Sequence, residues 1–102
     1  MTIPALVIDG TPTPLDDVIW LERRPCSCVV SAAVAVVDGR VLATADEVRE
    51  HWHPTEGDQR RADAAGLTVE PVTAARYRRE FRARWRCDRH AAVERQDGAQ
   101  QP

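Results

Sequence analysis

The chain has 102 residues, 43% of them hydrophobic but only 5% aromatic, and a formal net charge of −2 at pH 7. That length makes one domain with a modest core, which a metal or a partner would help noticeably, and the acidic balance excludes a surface built throughout for nucleic acid. All 14 basic residues are Arg, a bias that GC-rich codons explain before function does.

The first run, "IPALVI", is β-like, and "DGTPTP" after it reads as a turn and an irregular loop. The opening residues lack a basic n-region, and Pro4 and Asp9 break their apolar run, so no targeting signal is expected there. "LDDVIWLERR" is ambiguous: Thr13, Pro14 and Asp16 fit a short capped helix, while "VIWLE" fits a strand leading into a cysteine pair. The strand is the preferred reading. "VVSAAVAVV", Asp38-Gly39 and "RVLAT" form a β-hairpin pattern, because Asp-Gly supplies the positive φ angles of a two-residue turn. The apolar tract from Cys28 to Val37 is about half a membrane span. A cytoplasmic protein with reduced thiols and no membrane partner is therefore expected, and an odd number of cysteines fits a disulfide framework poorly.

Thr44 and Glu47 have capping-box spacing, which predicts a helix from Ala45 to about Trp52 with Val48 and Trp52 on one face. His53-Pro54 ends it. "PTEGDQRRADAA" opens a second, very polar helix that Gly66 stops. "LTVEPV" alternates as a strand, and Pro71 assigns it to a sheet edge. Thr73 then caps the helix "AARYRREFRARW". The result is one α+β domain in which a β-hairpin, two short helices, a third strand and a C-terminal helix follow in order. Its ordered core is expected over about 15–90, with 91–102 a frayed tail.

Two short pairs carry the chemistry. Cys26-x-Cys28 stands at the start of the hairpin, and Cys87-x-x-His90 stands just past the last helix. Three thiolates and one imidazole suit tetrahedral zinc, and a closed set of four ligands points to a structural site. Such a staple would close a loop of about 60 residues between the hairpin and the last helix. The plainer reading has Cys28 as a core residue and Cys87 as an ordinary thiol. "HWHP" offers an alternative pair, His51 and His53, of which one could replace His90 in the same site. A helix C-terminus that favours a partly positive imidazole also explains both.

From Arg76 to His90 there are seven Arg against Glu80 and Asp88, a local net of +5. Tyr77, Phe81 and Trp85 recur every four residues and are expected to face the core. Arg78, Arg82 and Arg89 lie on one flank of that helix, with Arg79 and Arg86 on another. They are candidate contacts for an acidic protein surface or for phosphates; pairing with acids such as Glu47, Glu50, Asp58 and Asp63, or simple solvation, is the plainer account. No nucleophile with a recognisable His/Asp pattern, no Gly-rich phosphate loop and no HExxH occurs. A small zinc hydrolase using His51 and His53 would need an open coordination position.

The elements "CSCVV", "ATADEVREHW", "DQRRADAAGLTVEPVT" and "WRCDRH" together resemble a group of small metal-binding proteins of actinobacteria and their phages that have no established activity. The likeness covers roughly 20–90 and implies a compact, Arg-rich, metal-binding fold. The function expected from these features is a zinc-stabilised binding or regulatory module that acts through a protein partner. Nucleic-acid backbone binding is the alternative.

Overall fold

The computed structural model describes residues 5–87. β1 (Ala5–Ile8) and β2 (Thr11–Pro14) form an antiparallel hairpin across Asp9-Gly10. Both turn residues have positive φ, 51° and 79°, as a two-residue turn matched to strand twist requires. Pairs flanking such a turn exchange backbone hydrogen bonds alternately. Ile8–Thr11 and Leu6–Thr13 therefore carry the ladder, and Pro12 and Pro14 fall at pairs that ask no N–H of them. The stretch expected to be an irregular loop is thus a strand. The β1–β2 hairpin lies ahead of the expected core, yet its Ile8 joins the buried set.

A 3₁₀ turn, Leu15–Asp17, leads into β3 (Val18–Arg23), so the ambiguous stretch contains a helical turn and then the preferred strand. β3 pairs antiparallel with β4 (Val29–Val34) on one side and with β7 (Thr68–Thr73) on the other. β7 is an edge strand, as Pro71 requires. The run after Cys28 is not one long hairpin arm. It breaks at Ala35, whose N–H donates to the Val18 carbonyl at 3.1 Å and whose carbonyl accepts from Leu42 N–H at 2.7 Å. Beyond that break, β5 (Val36–Val37) and β6 (Arg40–Val41) make a short hairpin on Asp38-Gly39, with φ of 47° and 78°.

α1 (Ala45–Trp52) starts where the Thr44 cap predicts, and α2 (Glu56–Ala64) starts within "PTEGD" as expected. Thr44 Oγ1 accepts from Glu47 N–H at 3.2 Å, and Thr55 Oγ1 accepts from Asp58 N–H at 3.0 Å. Arg49 joins the two helices through the Gln59 carbonyl and Asp63. α3 (Ala74–Arg76), capped by Thr73, continues into a π-helical turn, Tyr77–Phe81, closed by Arg82 N–H on the Tyr77 carbonyl at 2.8 Å. The last helix is shorter than expected, and Trp85 lies beyond it. None of the helices described is long and apolar enough to cross a membrane.

β3 is buried on both faces, and its side chains divide two clusters by the two-residue period of a strand. Val18 and Trp20 point to one side, where Ile8, Leu15, Ala35, Leu42 and Val48 complete a core covered by α1 and both hairpins. Trp20 Nε1 donates to the Leu42 carbonyl at 2.8 Å, so its indole is both packed and satisfied. Leu21 points to the other side, with Val29, Val72 and Phe81. Arg23 and Arg76 lie over the Phe81 ring at 5.5 and 5.4 Å.

Candidate metal centre

The hairpin between β3 and β4 puts the first cysteine pair at its tip. Ser27 N–H donates to the Arg24 carbonyl at 2.8 Å, and Arg24 N–H donates to the Cys28 carbonyl at 2.9 Å. Pro25 occupies the second position of this tight turn, where its fixed φ is favourable. Ser27 takes φ of 83°, a left-handed position that usually calls for Gly. The cysteines therefore belong to the β3–β4 turn, one hairpin earlier than the Asp-Gly turn suggested. α2 backs this turn. Gly66 has φ of 71°, and a Cβ there would stand 2.8 Å from Pro25 Cγ, so only glycine allows the approach.

Cys87 arrives from the other end. After the π turn, Arg84 N–H donates to the Phe81 carbonyl at 2.9 Å, and Val29 N–H donates to the Trp85 carbonyl at 2.6 Å. Cys87 N–H then donates to Cys28 Sγ at 3.2 Å across 59 residues of chain. The sulfurs of Cys26, Cys28 and Cys87 all lie within 4.8 Å of one another, and no disulfide joins them. Zn–S bonds of about 2.3 Å at tetrahedral angles place sulfurs about 3.8 Å apart. The trio fits a metal ion after closing by about an ångström or less. Cys26 is exposed, whereas Cys28 is buried.

Their protons are unequally held. The Cys28 backbone N–H favours the Cys26 thiolate, and the neighbouring thiols assist, so Cys26 lies below its ordinary value of 9.0 despite some desolvation. At Cys28 the Cys87 backbone N–H also acts downward. Burial and the adjacent Cys87 and Cys26 sulfurs outweigh it and push that thiol up. A cation in the middle of the trio removes that conflict, because each sulfur then faces positive charge.

The other expected ligands lie elsewhere. His90 falls outside the described residues. Among the residues described, the ligand cluster contains cysteines only. His53 Nε2 is 2.6 Å from Glu22 Oε2. Glu22 is a buried carboxylate on the α1 face of β3, and His53 caps the end of α1. His53 is thus occupied in satisfying a buried acid, which the sequence pattern did not disclose. His51 is exposed on α1 and borders a small cavity of about 150 Å³ with Val37, Asp38, Arg40 and Leu42.

The arginines expected to contact a partner, Arg78, Arg79, Arg82 and Arg86, are exposed, and Arg89 lies outside the described residues. Arg76 and Arg79 both pair with Glu80 of their own segment. Asp63 is held by Arg49 and Asp58 by Arg61, so these acids serve α1 and α2 rather than the C-terminal segment. Two arginine-bordered clefts flank the cysteines. One, of about 470 Å³, is lined by Arg23, Cys26, Ser27, Glu80, Phe81, Arg84, Arg86 and Cys87. The other, of about 510 Å³, is lined by Arg24, Cys28, Val29, Val30, Trp85 and Arg86. Sequence reading missed Arg24 and misassigned Trp85 to the core. The signal for Arg24 was its place in "RRPCSC", since a tight turn at the cysteines holds its flanking residues beside them.

Comparison of the chain with protein-family models, curated proteins and solved structures gave no match.

Proposed function

We propose that this chain is a small, non-catalytic binding or regulatory module, stapled by one structural zinc and acting through a protein partner. One observation carries the staple: the sulfurs of Cys26, Cys28 and Cys87, the last two 59 residues apart in the chain, converge within 4.8 Å. Thiolates favour zinc over the hard cations, which take oxygen ligands. His90, three residues past Cys87, is the proposed fourth donor. A closed set of four would leave no position for water or substrate, which argues against catalysis. The recognition surface is the segment after β7, where Arg78 and Arg82 have no acidic partner among the described residues. Arg and Trp are enriched where proteins dock, and the net charge of −2 opposes indiscriminate phosphate binding.

Protein purified without added metal is expected to carry one zinc per chain, which Cys26→Ser and Cys87→Ser each lose. A folded, metal-free protein with three freely titratable thiols would overturn the staple. The local net charge of +5 over 76–90 favours a second reading, nucleic-acid backbone binding through the same arginines. Salt separates the two, because phosphate contacts weaken steeply as counterions are restored. A shallow salt slope, or no binding to DNA and RNA, supports the protein partner.

A further inference from the structure

Trp85 is anchored without being buried. Its carbonyl accepts from Val29 N–H at 2.6 Å, and its indole Nε1 donates to Tyr77 Oη at 3.3 Å, yet 39% of the residue remains exposed. A ring fixed at both main chain and side chain has lost much of its freedom before any ligand arrives. Association that must order rotamer-rich side chains is weakened by doing so, and this ring is already ordered. An exposed indole held in that way is a ready platform.

The cleft beside it, about 510 Å³, lies in the range of small-molecule sites. Its lining combines Trp85 with Arg24 and Arg86, Cys28, and a floor of Val29 and Val30, with no carboxylate among the described residues. Arg24 is exposed and makes no side-chain ion pair or hydrogen bond among the described residues. The other arginine-bordered cleft is less suited to an anion. It contains Glu80, and its Arg23 is drawn to Glu70 at 2.6 Å and to the Ser27 carbonyl. A guanidinium grips phosphate through paired N–H donors, and an aromatic face stacks on a nucleobase. A free phosphate would leave most of this volume empty.

We propose that this cleft binds a nucleotide, with the base against Trp85 and the phosphate held by Arg24. The inference goes beyond the protein-partner reading and does not depend on it. The same chemistry is offered by a free nucleoside phosphate and by one nucleotide of a single strand.

The test uses the full metal-loaded chain, titrated with AMP, with short oligo(dA), with inorganic phosphate and with a poly-Glu peptide. Binding is followed by calorimetry and by tryptophan fluorescence. Of the three tryptophans, Trp20 is buried, Trp52 is half-buried on α1 and Trp85 is the exposed one, so quenching that persists in Trp85→Phe is assigned to the others. AMP or oligo(dA) is expected to quench the fluorescence and to bind more tightly than inorganic phosphate. Base–aromatic stacking of about 1–3 kcal/mol means that Trp85→Ala weakens binding about 5- to 150-fold. Trp85→Phe keeps a ring and is expected to retain most of the affinity. Arg24→Ala is expected to weaken nucleotide binding while leaving the metal content and the unfolding midpoint unchanged. Tighter binding of oligo(dA) than of AMP assigns the site to a strand, and equal binding assigns it to free nucleotides. The proposal is overturned if neither AMP nor oligo(dA) binds, if inorganic phosphate or poly-Glu binds as tightly, or if Arg24→Ala and Trp85→Ala are both without effect. Should Trp85→Ala fail to fold, Trp85→Phe and Arg24→Ala carry the same decision.

Discussion

The two faces of the β4-β3-β7 sheet are held by different means. On the face covered by α1 and the two hairpins, a buried cluster includes Trp20, Leu42 and Val48, and a satisfied indole ties it together. On the opposite face, among the described residues, Leu21, Val29, Val72 and Phe81 are buried together, with Ile19, Ala32 and Tyr77 partly buried against them, under a short α3 and a single π turn. The cysteines stand at the edge of that second face. Apolar burial contributes roughly in proportion to area, so the thinner face is the one that gains from a cross-link between its two chain ends. The site therefore lies where hydrophobic packing is weakest.

The largest expected effect comes from removing the proposed zinc. Structural zinc contributes about 10 kcal/mol or more of apparent binding free energy near neutral pH. Chelation is expected to raise hydrogen exchange first at Val29 and Cys87, whose N–H groups are held by Trp85 O and Cys28 Sγ. The Trp20 indole N–H, on the other face, is expected to remain protected longest. Uniform exchange across both faces after chelation would mean that the sheet behaves as a single unit and that the contrast is wrong.

A pair of core substitutions sharpens the comparison. Leu21 and Leu42 are nearly inaccessible, at 0% and 3% exposure, and lie on opposite faces. Each Leu→Ala is expected to lower stability by about 2–5 kcal/mol through lost transfer energy and a residual cavity. Only Leu21→Ala is expected also to weaken metal retention, because it loosens the support beneath Val29 and Phe81. Denaturant unfolding combined with metal analysis checks both statements. Equal metal loss in the two variants would remove the distinction between the faces.

Much of the α1 face was legible in the sequence, since its signals are local. The Thr44 and Thr55 caps, the Asp38-Gly39 turn and Val48 with Trp52 at helical spacing all act within a few residues. Asp9-Gly10 carries the same turn chemistry as Asp38-Gly39, but Pro12 and Pro14 hid the strand behind it. Proline is compatible with a hairpin when its missing N–H falls at an unbonded pair, and that depends on register, which a list of residues does not display. The second face is organised by long-range placement. "CSC" and "CDRH" were readable as two halves of one clamp, because thiols in short pairs are informative without knowledge of the fold. The last helix stops early, at Phe81, and Trp85 is instead tied to β4 by the Val29–Trp85 hydrogen bond, a partner far away in the chain. The Glu22–His53 pair spans 31 residues, and neither side chain announces the other.

The turn at the tip gives a smaller and more local test. Ser27 holds a positive φ, and a non-glycine residue in such a position costs about 1–3 kcal/mol. Ser27→Gly is expected to recover up to about 1 kcal/mol in the metal-free protein, offset in part by the greater freedom of the unfolded chain. Gly66→Ala acts in the opposite direction, since it combines the same backbone strain with a Cβ 2.8 Å from Pro25. It is expected to lower both stability and metal affinity, whereas an alanine in an open left-handed turn such as Gly10 would lower stability alone. If Gly66→Ala retained metal as well as Gly10→Ala does, the support of the cysteine turn by α2 would be disproved.

The smallest effect concerns pH and lies away from both faces. The Thr55 hydroxyl, followed by Arg61, holds the Asp58 carboxyl below its ordinary value of 3.8. A carboxyl whose folded value is depressed contributes stability that is present above the unfolded value and is lost as pH falls through the folded one. The pH dependence that Asp58 imparts is therefore confined to about pH 4 and below, and its stabilisation is present throughout the range above. Asp58→Asn is expected to lower stability slightly near neutrality, where the Asp58 contribution is fully present, and to flatten the stability curve in that acid window. Metal release runs on a different scale, because protons compete for thiolates whose ordinary value is 9.0. Acidification should then separate the two events, with the cysteine face losing its staple before Asp58 titrates. An Asp58→Asn variant whose metal release shifts along with its acid unfolding would show that the α2 N-terminus and the cysteine turn are coupled through Gly66 and Pro25. An unshifted release midpoint would confine Asp58 to its own helix cap.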